Sequence, residues 1–86
     1  MGSFSVDFKR SAEKDLRKLE KKVVERIMVE IAALEITPYP KGSRKLQGAE
    51  NLFRLRIGDY RVVYEISNEQ KTVVIQHVRH KKIAYR

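Results

Sequence analysis

The chain has 86 residues and a net charge of +8, with no cysteine and a composition that is 42% hydrophobic and 35% charged. This length allows one small domain, the composition favours a folded core over wholesale disorder, and the lack of cysteine excludes disulfides and thiolate metal sites. No apolar run approaches the roughly 20 residues of a membrane-spanning helix and no signal peptide is recognisable, so the sequence predicts a cytoplasmic protein without a membrane partner.

The first expected element is a strand in the stretch FSVDF, residues 4–8, where apolar and polar side chains alternate. Ser11 follows at a position suited to the N-cap of a helix. Residues 1–3, Met-Gly-Ser, resemble the remnant of an expression tag. A single domain is therefore expected over residues 4–86.

Helical spacing follows the first strand. Apolar residues recur every three or four positions, at Leu16, Leu19, Val23, Ile27, Ile31 and Leu34. This pattern predicts either one long helix or two helices hinged near Lys21 and Lys22, with two helices favoured. Pro38 and Pro40 end the helical part, because proline cannot continue a helix.

Three further strands are expected after a loop, KGSRKLQGAE, that is rich in small and polar residues. The strands are predicted at Leu52–Ile57, Tyr60–Ser67 and Thr72–Val78. Gly58-Asp59 and the segment NEQK are both short enough for hairpins, so the three strands should form an antiparallel meander. The predicted fold is α+β, with the helices packed on one face of the sheet.

The second half of the chain carries most of the positive charge. Residues 44–86 hold ten Lys or Arg against four Asp or Glu, whereas residues 1–43 hold nine against seven. Strand alternation puts Arg54 and Arg56 together on the open face of the sheet, and Arg61 joins them if the hairpin register is favourable. Guanidinium groups bind phosphate through paired hydrogen bonds. This face is therefore either a solvated surface or a phosphate-binding patch.

The basic tail favours a phosphate-binding patch. Arg79, His80, Lys81 and Lys82 directly follow the predicted last strand, and Tyr85 places an aromatic ring near them. Cations interleaved with an aromatic side chain are typical of surfaces that hold a nucleic-acid backbone and stack a base.

No metal site and no cofactor are expected. His77 and His80 are three residues apart, but no cysteine or suitably placed carboxylate completes a set of metal ligands. His77 is expected on a strand, either packed or with its hydrogen bonds satisfied. The sequence also contains no glycine-rich phosphate loop.

The order of the motifs resembles the RelE/ParE superfamily of toxins from prokaryotic toxin–antitoxin systems. The resemblance rests on KLQG, FRLRIGDYRVVYEI and VRHKKIAYR, and it covers roughly residues 4–86. The basic residues make the RelE branch the nearer one. Resemblance to the RelE branch implies a ribosome-dependent endoribonuclease that cuts mRNA in the A site, where the ribose 2′-hydroxyl attacks the adjacent phosphate. The ParE branch shares the fold and implies a toxin that inhibits DNA gyrase without catalysis.

The resemblance also implies roles for individual residues. Arg61 would stabilise the transition state, Lys81 would protonate the leaving 5′-oxygen, and Tyr85 would stack on a codon base. The family's general base is a lysine where this chain has Arg56, and a guanidinium with a pKa above about 12 is a poor proton acceptor. Arg56 is therefore expected to clamp the phosphate, while the proton goes to water, His80 or Lys81. Further RNA contacts are expected from Arg54, Lys45, Arg79, His80 and Lys82.

The partners implied by the resemblance are a cognate antitoxin, RelB-like or other, and the 70S ribosome carrying mRNA. Operator DNA would be contacted only through the complex with the antitoxin. A nucleic-acid-binding module without toxicity is a third interpretation that the sequence leaves open.

Overall fold

A computed structural model of the chain describes residues 3–84. The elements in chain order are β1 (Ser5–Phe8), α1 (Arg10–Arg17), α2 (Lys21–Ala32), a 3-10 turn (Ala33–Glu35), β2 (Ser43–Lys45), β3 (Leu52–Ile57), β4 (Tyr60–Ser67), β5 (Thr72–His80) and α3 (Lys81–Ala84). Within these residues five strands form one sheet in the order β1-β5-β4-β3-β2, with β1 parallel to β5 and the other neighbours antiparallel. The predicted α+β class, the paired helices and the meander are confirmed. No helix in the described part is both long and apolar enough to cross a bilayer.

Two strands differ from the sequence prediction. β2 lies inside the segment predicted as a loop, because its three residues pair with β3 although they show no apolar alternation. β5 continues two residues beyond Val78 and ends at His80. Arg79 and His80 therefore belong to the sheet and not to the tail.

The start of α1 also differs from the prediction. Lys9 stands at the N-cap and the helix begins at Arg10, so Ser11 lies in the first turn. The Ser11 hydroxyl donates a hydrogen bond to the Gln76 carbonyl oxygen of β5, at 2.7 Å. A capping pattern read from local sequence does not anticipate a partner 65 residues away.

The core lies between the helices and one face of the sheet, which we call the inner face. The predicted apolar stripe supplies Ile27, Ile31 and Leu34, each no more than 1% exposed. Burial of one such side chain stabilises a fold by about 1.5–3 kcal/mol. The apolar side chains of the inner face are Val6, Phe8, Phe53, Leu55, Ile57, Tyr60, Val62, Tyr64, Ile66, Val73, Ile75 and Val78.

A β-bulge in β5 changes which side chains reach the inner face. The register shifts between two successive pairs, Tyr64↔Ile75 and Val63↔His77. Gln76 is therefore an extra residue, and the alternation changes phase there. Ile75 is buried before the bulge and Val78 after it. As a result His77 and Arg79 point to the opposite face of the sheet.

Helix α1 covers the edge of β5 beyond the end of β1. β1 pairs with β5 only as far as Ile75. Past that point the Ser11 hydroxyl donates a hydrogen bond to the Gln76 carbonyl oxygen, and the Val78 amide donates one to Asp15 Oδ2 at 3.0 Å. Side chains of α1 thus satisfy backbone groups that an uncovered sheet edge would leave exposed.

Tyr64 connects the sheet to the segment after α2. The residue is fully buried, and its hydroxyl donates to the Pro38 carbonyl oxygen at 3.0 Å. Tyr64→Phe removes this bond and leaves the carbonyl without that donor. We expect the free energy of unfolding to fall by about 1 kcal/mol at neutral pH. Urea denaturation of both proteins measures the difference.

The buried phenol of Tyr64 should make the stability of the fold depend on pH in the alkaline range. Burial raises the pKa of Tyr64 to about 12. Above its ordinary pKa near 10 the phenol ionises in the unfolded chain but stays neutral in the folded one, so stability is lost between about pH 10 and 12. Between pH 9 and 11 the wild type should lose about 1 kcal/mol more than Tyr64→Phe. Parallel losses in the two proteins would contradict this account.

Candidate functional site

The arginines lie in two adjacent rows of cross-strand neighbours. One row consists of Arg56 of β3, Arg61 of β4 and Arg79 of β5. The other consists of Arg44 of β2, Arg54 of β3, Val63 of β4 and His77 of β5. We call the surface formed by these two rows the outer basic face. Directly opposed residues in a sheet have Cα atoms about 4.5–5.5 Å apart, so the cationic groups form one dense patch.

The hairpin register left open by the sequence is the favourable one. Arg56 opposes Arg61 directly, and Arg54 lies two residues along the same strand face. Arg56 is exposed and Arg54 is half-buried. The next row along the sheet carries the exposed carboxylates of Glu65 and Asp7. Positive charge is therefore concentrated at one end of this face, where the Gly58-Asp59 turn lies.

Arg61 is held in place by the turn that precedes it. Only 6% of its surface is exposed, although it lies on the face away from the core helices. Its Nη1 donates to the carbonyl oxygens of Gly58, at 3.0 Å, and Tyr60, at 2.9 Å. Gly58 adopts a φ of +57°, and a positive φ at the first central position is typical of a type II′ hairpin turn. The guanidinium is thus oriented before any ligand binds.

Lys81 is attached to the same turn. Its backbone amide donates to the Asp59 carbonyl oxygen at 2.7 Å, and its Nζ lies 3.5 Å from Asp59 Oδ1. The carbonyls of three successive residues therefore receive hydrogen bonds from Arg61 and Lys81. We call residues 58–60 the anchoring turn. It fixes the side-chain end of one cation and the backbone of the other at the same end of the sheet.

The remaining sequence-predicted residues lie in different places. Lys45 and His80 are on the inner-face side of their strands, and the His80 ring packs edge-on against Tyr60 with centroids 5.4 Å apart. His80 also lines a cleft of about 480 Å³ next to α1. Lys82 is exposed on α3. Tyr85 lies outside the described residues. The sheet thus brings together four of the predicted cations, Arg54, Arg56, Arg61 and Arg79.

Two residues of the outer basic face were not predicted from the sequence to lie there. Arg44 joins it because β2 pairs with β3, and a strand of three residues offers no periodicity from which to predict that pairing. His77 joins it because of the bulge. A signal for the bulge is present in the sequence, since the buried positions Ile75 and Val78 are three residues apart and break the alternation of two. Among residues 3–84 no group of three or more His, Cys, Asp or Glu is arranged to hold a metal ion.

Comparison with known proteins identifies the family. The family model described as the ParE toxin of the type II toxin–antitoxin system parDE matches residues 6–85. The chain is a toxin of the RelE/ParE superfamily. Toxin RelG of Mycobacterium tuberculosis (strain H37Rv) is 33% identical to this toxin over 85 residues, which cover 96% of this chain and 97% of RelG.

Solved structures of RelE-type toxins have the same fold as this toxin. The archaeal RelE–RelB complex from Pyrococcus horikoshii contains a chain that is 28% identical, with a TM-score of 0.82 over 92% of this toxin and 96% of that chain. The toxin–antitoxin complex RelBE2 from Mycobacterium tuberculosis contains one that is 33% identical, with a TM-score of 0.78 over 91% and 98%. The observed α+β fold of this toxin is therefore shared with RelE-type toxins.

Proposed function

We propose that this toxin is a ribosome-dependent endoribonuclease that cuts mRNA in the A site and so blocks translation. The outer basic face is the observation that carries the proposal. Five arginines in two neighbouring rows present more positive charge than a solvated sheet face requires, and they are arranged at about the spacing of neighbouring strands. A surface of this kind suits the phosphates of a single RNA strand.

The proposed chemistry is a transesterification. The 2′-oxygen of a ribose attacks the adjacent phosphorus, the bond to the 5′-oxygen breaks, and the products are a 2′,3′-cyclic phosphate and a 5′-hydroxyl. Negative charge grows on the phosphorane oxygens, where Arg61 supplies an oriented guanidinium. Lys81 gives a proton to the leaving 5′-oxygen. Arg56 clamps the phosphate, and Tyr85 stacks on a codon base.

Other cations bind the RNA backbone in this proposal. Arg54 and Arg79 act on the outer basic face, one in each row. Lys45 and His80 are on the inner-face side of their strands and Lys82 is on α3, so these residues would contact more distant phosphates or ribosomal RNA. No cofactor takes part in this scheme.

A second function within the family is inhibition of DNA gyrase without catalysis. The match to the ParE family model favours it. The arginine rows favour the nuclease, because a toxin that acts only by protein contact does not need a phosphate site. Membership of a toxin family argues against the third interpretation, a nucleic-acid-binding module without toxicity.

The proposed partners follow from the family and the charge. Both solved structures named above are complexes of a toxin with its antitoxin. We infer that a cognate antitoxin, RelB-like or other, covers the outer basic face with a segment that folds on binding. The toxin would meet operator DNA only within that complex, and it would act in the cytoplasm, where the 70S ribosome carries mRNA.

Expression of the toxin in a bacterium separates the two functions. The nuclease predicts rapid loss of amino-acid incorporation, with mRNA cut at fixed positions within codons. The gyrase inhibitor predicts that thymidine incorporation stops first and that mRNA stays intact. Arrest of DNA replication with uncut mRNA would reject the nuclease.

Arg54 offers a test of phosphate binding that is independent of cleavage. Arg54→Gln keeps most of the side-chain volume and removes the charge. Affinity for single-stranded RNA should fall, and the slope of log affinity against log salt should become shallower by about 0.7 for one lost phosphate contact. Glu69→Gln, in the exposed β4–β5 turn, is the matched control. An unchanged slope in Arg54→Gln would remove Arg54 from the phosphate site.

A further inference from the structure

His77 is the imidazole of the outer basic face. It lies in the same row as Arg54, across β4, and diagonally from Arg61. Its side chain is 36% exposed, so a ligand on this face can reach it. The other imidazole of the chain, that of His80, lies on the inner-face side against Tyr60.

The carboxylate of Asp15, on α1, lies next to the Nδ1 side of this imidazole. Asp15 Oδ2 lies 3.4 Å from His77 Nδ1, and its side chain is only 19% exposed. The same oxygen accepts the Val78 amide at 3.0 Å, which fixes the carboxylate at the edge of β5. Asp15 can therefore orient the ring, as the carboxylate does in a serine hydrolase triad.

Arg79 is the second neighbour of the same ring nitrogen. Its Nη2 lies 3.2 Å from His77 Nδ1. Arg79 is exposed, and a bound phosphate competes for its hydrogen bonds. Once Arg79 turns to a phosphate, Asp15 is the partner left for Nδ1. The hydrogen then resides on Nδ1, and the lone pair of Nε2 is available on the outer basic face.

The proposed reaction needs a proton acceptor that works near neutral pH. Arginine cannot serve, because its pKa lies above about 12. Imidazole is the side chain that ordinarily changes protonation between about pH 5 and 8. Within the two rows of the outer basic face, this leaves His77 as the side chain suited to the task.

We propose that His77, oriented by Asp15, takes the proton from the ribose 2′-hydroxyl. This inference rests on the nuclease function proposed above. The 2′-oxygen forms its bond to phosphorus as its proton passes to His77 Nε2, and the 5′-oxygen leaves with a proton from Lys81. His77 then returns its proton to water and Lys81 regains one, so the protein emerges unchanged. The bulge at Gln76 places the base by turning residue 77 outward.

The test is single-turnover cleavage of mRNA bound to 70S ribosomes, measured from pH 5.5 to 8.5. For the wild type we expect the rate to rise with pH through the imidazole range and then level off. His77→Gln should lower the rate about 10²–10³-fold. It should also abolish that rise, leaving a rate that is flat or increases steadily with hydroxide concentration. If His77 had a purely structural role, His77→Gln would still show the rise of the cleavage rate with pH, which we call the pH limb.

Asp15→Asn tests the orienting carboxylate, because asparagine can still accept the Val78 amide. We expect a fall of about tenfold, because the imidazole loses the partner that orients it. Glu69→Gln should match the wild type in rate and limb. Circular dichroism and ribosome binding of His77→Gln should match the wild type as well.

The outcomes separate the two proposals. If wild-type toxin cuts the mRNA and His77→Gln cuts it at the same rate, or keeps the same pH limb, His77 is not the base and the nuclease function stands. If wild-type toxin cuts no ribosome-bound mRNA, the nuclease function falls and the role of His77 falls with it.

Discussion

Replacement of Arg61 by alanine is expected to lower the rate of mRNA cleavage about 10²–10³-fold, the usual effect of removing one oriented donor to a developing oxyanion. The size of the effect follows from the anchoring turn. Two carbonyl oxygens hold Nη1 before the substrate binds, so the guanidinium need not reorganise as charge develops on the phosphate. A cation fixed in this way stabilises the transition state more than one that must first be ordered.

Two controls separate this effect from loss of structure. Arg61→Ala also removes two hydrogen bonds from a buried position, and we expect it to destabilise the toxin by about 1–3 kcal/mol. Rates are therefore compared at temperatures where circular dichroism shows both proteins folded. Arg61→Lys retains the charge but not the planar pair of N–H donors of the guanidinium, so its rate should lie between those of Arg61→Ala and the wild type. Wild-type rates in folded Arg61→Ala would place the transition-state cation elsewhere.

Replacement of Lys81 by alanine is expected to lower the cleavage rate by a similar factor, about 10²–10³, because the leaving 5′-oxygen then departs without a proton donor. Lys82→Ala is the informative neighbour, since both lysines are exposed on α3. It should weaken binding and leave the rate at saturating toxin largely intact. The contrast between adjacent residues distinguishes proton donation from general attraction to RNA.

A chemical substitution in the substrate tests the same role without relying on mutants alone. A substrate with sulfur in place of the bridging 5′-oxygen releases a thiolate, which needs far less help from an acid because a thiol has a pKa of about 8.5. Lys81→Ala should cut this substrate nearly as fast as the wild type does. Arg61→Ala should remain slow on it. If sulfur fails to rescue Lys81→Ala, Lys81 is not the acid.

Much of the fold could be predicted because the sequence signals are local. Both ends of β3 and β4 follow from apolar alternation on either side of a two-residue turn, and the core stripe of α2 follows from helical spacing. The errors arise where the deciding partner is distant. β2 exists through its pairing with β3, and the Ser11 hydroxyl serves β5 instead of its own helix.

The sequence predicted the positive charge of the candidate site, but it predicted only part of the arrangement of the side chains. Alternation places Arg54 and Arg56 on one face, but it does not give the burial of Arg61, which depends on carbonyl directions within the anchoring turn. The phase change at Gln76 has a trace in the sequence, yet its functional meaning appears only when α1 brings Asp15 to His77. Sequence patterns thus predicted four of the clustered arginines but not Arg44, and tertiary contacts determined which of them are oriented.

The parallel pairing of β1 with β5 has a consequence for synthesis of the toxin. Ser5 pairs with Thr72, so the first strand cannot pair until β5 has been translated. β5 also separates β1 from β4 and carries His77 and Arg79. Until β5 has been synthesised and has left the exit tunnel, the nascent chain cannot assemble its outer basic face. A chain truncated before β5 would therefore lack both the partner of β1 and the His77 and Arg79 side of the outer basic face.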